Sequence, residues 1–325
     1  MITCRILKFK QLCIPGILIT MKKIFFNKIG KLFKTTFTKW YNRDPFREGA
    51  IIAYYAIFSL PGLLVVVIVL AGYFFGAEAV SGHLHNQIEI AMGTTTADEV
   101  QAMVIMSMKS KDSFWATIIA IATILYGATA VFAQLQKSLN NIWEVEVKTQ
   151  KSGIWLFIKT RLFSFGLIVS IAFLLLISLV LSSLISAFGN WIQQFWSESI
   201  LIFFQLFNVI FSFGVITILF AMMFKILPDA KIKWRSVWIG AVFTSLLFVL
   251  GKTALGLYFG KADPGSGYGA AGSIILILLW SSYSSMIVFF GAEFTKVYSD
   301  YYFGVAPPTE VAVKQTDVPV ESENL

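Results

Sequence analysis

Apolar residues gather in six long blocks, near Ile51–Gly76, Phe114–Ala133, Leu162–Phe188, Ile200–Phe224, Val237–Tyr258 and Ala270–Phe294. Polar or charged connections separate them. A helix rises about 1.5 Å per residue, so about 20 residues cross a hydrocarbon core of about 30 Å. All six blocks meet that length. The pattern predicts an all-α, polytopic membrane protein with six transmembrane helices.

Ahead of the first block the period changes. From Lys23 to Trp40, Phe25, Phe26, Ile29, Leu32, Phe33, Phe37 and Trp40 share one arc of about 140°, with Lys23, Lys28, Lys31, Lys34 and Lys39 opposite. That is a basic amphipathic helix suited to the headgroup layer, its lysines facing anionic lipid headgroups. The pattern divides the chain into an upstream extension (1–20, with Met21 the expected natural start), the interfacial segment (21–49), a six-helix membrane domain (50–300) and a disordered acidic tail (301–325).

The connection at 77–113 has apolar residues at roughly helical spacing, which predicts short helices at the outer surface. Pro61 lies inside the first span and should kink it. Gly72 with Gly76, and Gly256 with Gly260, form two GxxxG spacings that allow close helix packing. No internal sequence repeat is visible, which counts against an inverted-repeat transporter.

Composition agrees with a membrane domain. Hydrophobic residues make up 57% of 325, charged residues 14%, and mean hydropathy is +0.75. The net charge is +8, and 22 of the 26 Lys and Arg fall in the first fifty residues, the connections after the second and fourth spans, or the C-terminal tail. Basic residues are retained on the cytoplasmic side during insertion. The expectation is a multi-pass protein of the cell inner membrane with both termini cytoplasmic. Cys4 and Cys13 imply neither a disulfide framework nor a metal site.

Candidate chemistry is sparse. Gly267-Tyr268-Gly269 matches the letters of a potassium-channel filter, but the connection is too short for a pore helix and reads as a turn. His83 and His85 are the only histidines and have no partner pair for a metal site. No nucleophile set or phosphate-binding loop appears, so neither enzymatic activity nor a cofactor is expected. Lys252 lies within the fifth span and either faces an interior cavity or snorkels; Asp263 is its candidate partner. Glu293 should seek a cation: Lys296, Lys233 or Arg235. Lys225, Lys231, Lys233 and Arg235 would attract anions at an inner mouth.

Several separated segments resemble the YihY/BrkB family of bacterial inner-membrane proteins. They are AYYAIFSLPGLL at Ala53–Leu64, ILYGATAVFAQLQKSLNNIWEV at Ile124–Val145, LPDAKIKWRSVWIGA at Leu227–Ala241 and YGAAGSIILILLWSSYSSMIVFFGAEF at Tyr268–Phe294. The resemblance covers about residues 45–300. Leu227-Pro228, Trp234, Gly240-Ala241, Tyr268-Gly269, Trp280 and Gly291-Ala292-Glu293 match the family; Asn140 and Asn141 fall in its polar stretch. Ser281-Ser282 depart from a Tyr more usual after the Trp, with Tyr283 able to take its place. The resemblance implies a six-helix fold and an envelope role, with export or lipid translocation suspected; an old ribonuclease label finds no support in these residues.

The function expected is therefore export or transport of a small anionic envelope metabolite or lipid precursor. Lys252, Glu293, Asp263, Tyr268, Gly269, Trp280 and Pro61 are its candidate transport or gating residues. A non-transporting scaffold for envelope assembly is the alternative. The bilayer is the expected partner, nucleic acid is not, and a homo-oligomer stays open.

Overall fold

The computed structural model describes residues 14–108, 114–147, 198–262 and 264–317. Eight α-helices occur among the described residues: α1 (Ile14–Asn42), α2 (Pro45–Phe75), α3 (Ala77–Met92), α4 (Thr94–Met108), α5 (Phe114–Trp143), α6 (Glu198–Ile226), α7 (Trp234–Ala262) and α8 (Gly272–Phe303). Four contain segments long and apolar enough to cross a membrane: Pro45–Val69 in α2, Val209–Ile226 in α6, all of α7 and all of α8. The expected second span lies within α5, and the third, Leu162–Phe188, falls outside the described residues. Large apolar side chains stay exposed along these helices, among them Phe58, Val69, Val209, Ile210, Leu246, Leu250 and Leu257. Water would penalise such surfaces and lipid does not.

Local chemistry sets the breaks. Asp44 caps α2 by accepting from the Arg47 N–H at 3.4 Å, and Pro45 takes the first helical position, where its missing N–H costs nothing. Pro61 sits inside a helix that continues to Phe75. Gly93, at φ 90°, turns α3 into α4 in a conformation that side chains disfavour.

α7 and α8 approach each other closely through glycine. A Cβ on Gly240 would lie 1.8 Å from Thr295 Oγ1, and one on Gly291 would lie 1.9 Å from Thr244 Oγ1. Each threonine therefore rests on the other helix's glycine, while its hydroxyl donates to the Gly240 or Gly291 carbonyl one turn back in its own helix, at 2.7 Å. Self-bonding leaves neither of these two hydroxyls unmet. Phe243 and Phe294 pack beside this crossing with centroids 4.2 Å apart. The two GxxxG spacings do less. Gly72 abuts Ala77 at the turn into α3, Gly256 has only the Ile90 carbonyl at 3.8 Å, and nothing lies within 4 Å of the Cβ positions at Gly76 and Gly260.

Three elements close the ends. α3 and α4 form the expected short helices and bury Val80, Val100 and Val104 against Leu64, Val65, Val67 and Ile68 of α2, with Ile277 of α8. His85 Nε2 meets Asp98 Oδ1 at 2.8 Å between them. At the opposite end, the amphipathic face of α1 docks on protein: Phe33 packs on Phe243 and Phe294, and the Trp40 indole donates to the Met286 carbonyl at 3.3 Å. Leu32 and Thr36 are buried, while Phe37 and Tyr41 remain exposed.

Residues 301–317 are a correction to the expected disorder of the 301–325 tail, whose remaining residues lie outside those described. α8 continues to Phe303, the Lys231 N–H donates to the Pro307 carbonyl at 2.8 Å, and β2 (Ala312–Lys314) pairs antiparallel with β1 (Val145–Val147). The acidic composition misled because this segment borrows its partners: a ready strand edge and a buried seat for Ala312. These two strands and an antiparallel bridge between Ala230 and Pro308 depart from the otherwise helical fold of the described residues.

Candidate functional site: a charged hub beside a polar cavity

Arg43, in the joint between α1 and α2, is the centre of the charged end. Its guanidinium donates Nε to Glu293 Oε2 at 3.1 Å and Nη1 to the Asn141 carbonyl at 2.9 Å. Nη2 reaches the Ile142 carbonyl at 3.3 Å and Glu144 Oε1 at 3.1 Å. The two carbonyls belong to the last turn of α5, where acceptors lack helical partners and a cation is favoured. A planar fork with five donors can serve all four groups at once; an ammonium cannot. Lys296 also pairs with Glu144. Burial works to raise the Glu144 pKa, but the Lys296 hydrogen bond and the charges of Lys296, Arg43 and Lys39 outweigh it and hold the carboxyl below its ordinary range.

Asp44 and Glu144 flank this hub with φ of 53° and 57°, the only left-handed residues other than glycine among those described. Such conformations are strained for side-chain-bearing residues and persist where surrounding contacts hold them. Here those contacts include the Arg43 bond to Glu144 and the Gln315 N–H donating to the Glu144 carbonyl at 3.0 Å.

Beside the hub lies a cavity of about 1090 Å³, walled by the ends of α2, α5 and α6, the α6–α7 turn, β1 and the segment before β2. Lys137, Lys225 and Lys231 line it together with Glu48, Glu146 and Asp229 and several amides. Asp229 is tied down. Its Oδ2 accepts from Asn140 Nδ2 at 2.8 Å and Gln136 Nε2 at 3.2 Å, and its N–H donates to Asn140 Oδ1 at 2.8 Å. Glu48 Oε2 accepts from Ser138 Oγ at 2.8 Å. Lys137 and Lys231 are exposed on the wall. Neutral donors thus hold Asp229, Glu48 is met by Ser138 and by Arg47 at 3.8 Å, and the ammonium groups of Lys137 and Lys231 are left for a solute.

The sequence candidates scatter. Lys225 and Lys231 line the cavity, although Lys225 Nζ is engaged with the Ile232 carbonyl at 2.5 Å and lies over Trp234. Lys233 lies over the Phe303 ring instead, and Arg235 is exposed without lining the cavity. Lys252 is half-buried on α7 and does not line the cavity. Opposite Glu293 on α7 are the residues after Gly240, so Lys252 lies about ten residues, or about 15 Å, further along. Asp263 is outside the described residues. Tyr268 and Gly269 sit in a 3-10 turn, Ser266–Ala271, with Tyr268 exposed and Gly269 at φ 54°. Trp280 packs edge-on to Phe248, and Pro61 is half-buried in α2.

Glu293 is fully buried, and the expected partners are corrected: the bond goes to Arg43, not to Lys296, Lys233 or Arg235. It lies within α8, which runs on to Phe303. Asn140, Ser138, Gln136 and Asp229 were missed as site residues. The Asn140-Asn141 pair in a span's last turn was the available signal.

Exposed apolar helix faces around a core with a polar end define a multi-pass membrane protein. The chain belongs to the virulence factor BrkB family, whose model matches residues 36–314. It is similar to a "UPF0761 membrane protein" of Tolumonas auensis, 26% identical over 81% of this chain and 83% of that one. A second UPF0761 relative, from Pseudoalteromonas atlantica, is 24% identical over 77% and 80%. The "ribonuclease-like protein YfkH" of Bacillus subtilis is 24% identical over 80% and 92%. No solved structure matches the chain.

Proposed function

We propose that the protein is a transporter of the cell inner membrane that exports a small anionic envelope metabolite or lipid precursor through the polar cavity. The cavity carries the reading: it is large enough for a metabolite, and Lys137 and Lys231 stand exposed on its wall while Asp229 is held by amides and Glu48 by Ser138 and Arg47. In this reading six helices cross the bilayer with both termini cytoplasmic, so the cavity opens on the cytoplasmic side, where basic residues concentrate. The remaining face of α1 rests on anionic headgroups. No chemical step on the solute is involved; the reading is of a protein that is not an enzyme.

Uptake of labelled glycerol phosphate into inside-out proteoliposomes tests it. Wild type should exceed protein-free vesicles, and the surface variant Lys137→Glu/Lys231→Glu should lower the rate by roughly tenfold. Flux no greater than that of empty vesicles, with intact folding, would favour the scaffold.

A further inference from the structure

We propose that Glu293 is a proton-binding site, loaded from the large cavity through Glu48, and that its protonation is coupled to anion occupancy of that cavity; the coupling rests on the transport reading above.

Glu293 is fully buried and its two oxygens are treated differently. Oε2 accepts from Arg43, whereas Oε1 has no hydrogen-bond partner. A buried acceptor with no partner is costly, more so when ionised. A second, small cavity of about 20 Å³ lies against this carboxylate, lined by Trp40, Arg43, Glu48, Ser138, Asn141 and Phe289 among others. That volume suits a single water, and Glu48 and Asn141 supply polar partners.

The small cavity shares a wall with the large one. Glu48, Ser138 and Asn141 line both, and the Glu48–Ser138 hydrogen bond stands in the partition. A proton entering from the large cavity binds a Glu48 oxygen, passes to the water between, and that water gives a proton to Glu293 Oε1. Glu48 returns to its carboxylate, the water is unchanged, and Glu293 becomes the neutral acid.

The surrounding charges give this step its consequence. Lys39 and Arg43 act on Glu293 from α1 and its joint, Lys296 acts from α8, Glu48 faces the small cavity from α2, and Glu144 shares Arg43 at the end of α5. With Glu293 ionised, Arg43 and Lys296 are balanced by Glu144 and Glu293. Once Glu293 takes the proton, one positive charge is unbalanced next to the large cavity. An anion there and a proton on Glu293 therefore favour each other, and by linkage the effect is reciprocal.

Infrared difference spectra of the full chain in lipid, recorded between about pH 4 and 8 with and without inorganic sulfate, test this. The wild type should show a protonated-carboxyl band that Glu293→Gln lacks. Loading after a pH jump should be roughly tenfold slower in Glu48→Gln, and sulfate should bind roughly tenfold tighter at the acid end. The amide in Glu293→Gln keeps an acceptor for Arg43; if that variant fails to fold, the Glu48→Gln loading rate carries the test. A band unchanged in Glu293→Gln, or loading unaffected by Glu48→Gln, overturns the proton site. Sulfate binding that ignores the protonation of Glu293 overturns the coupling and leaves transport standing. A titrating Glu293 in a protein without flux removes transport and the coupling, and leaves the proton site.

Discussion

Arg43 and Glu293 lie 250 residues apart in the chain and meet at 3.1 Å, joining the α1–α2 joint to the last third of α8. Removing the arginine would leave a buried carboxylate without its ion partner, a loss of about 3 to 5 kcal/mol. Arg43→Ala should therefore lower the thermal unfolding midpoint in detergent sharply, and Arg43→Lys less so. Adding Glu293→Gln to Arg43→Ala should recover part of the loss. An Arg43→Ala protein that melts with wild type would refute the hub.

Where α7 crosses α8, the space above Gly291 is already filled by Thr244. Gly291→Ala places a methyl 1.9 Å from the threonine hydroxyl oxygen and 2.8 Å from its Cβ, so the helices must part. Overpacking of this kind costs about 1 to 3 kcal/mol. Gly291→Ala combined with Thr244→Gly should be more stable than Gly291→Ala alone, as read by unfolding of the detergent-solubilised protein. Additive losses would deny the contact.

The depressed pKa of Glu144 fixes the sign of a pH effect. Its unfolded form binds a proton more readily than its folded form, so its contribution is complete above the ordinary carboxylate range. That contribution is lost as pH falls through the lower folded value. Unfolding midpoints should drop on acidification, and Glu144→Gln should make the acid side of that curve flatter while lowering the neutral plateau. A curve of unchanged shape in the variant would assign the acid sensitivity elsewhere.

The pairing of β2 with β1 protects the chain near Lys314. Ala312 is buried at 3% exposure, and Ala312→Asp would put a carboxylate there. Trypsin should cut after Lys314 at least severalfold faster in that variant, with the membrane helices intact. Equal cleavage rates would show that the strand is not held by this seat.

Hydropathy alone revealed the helical membrane character, because each span's burial in lipid is a property of its own residues. Long-range partners are not. Arg43 looked like one basic residue among the eleven in the first fifty, and nothing nearby says that it meets Glu144 and Glu293. Lys252 drew attention because it breaks an apolar run, yet that isolation does not place it at the cavity. One signal was present and unread. Gly240-Ala-Val-Phe-Thr244 and Gly291-Ala-Glu-Phe-Thr295 are the same five-residue pattern with one change, and they are the two halves of the α7–α8 crossing. The change replaces the exposed Val242 by the buried Glu293, so the polar exception within the repeat falls at the hub.

The left-handed residue Asp44 follows Arg43 directly in the chain, and the left-handed residue Glu144 accepts from the Arg43 guanidinium. A single side chain therefore ties the entry of α2 to the exit of α5. The charged end is thus a double-hinged latch with a single bolt. Sliding that bolt would free the entry of α2 and the exit of α5 in the same movement, on the rim of the large cavity.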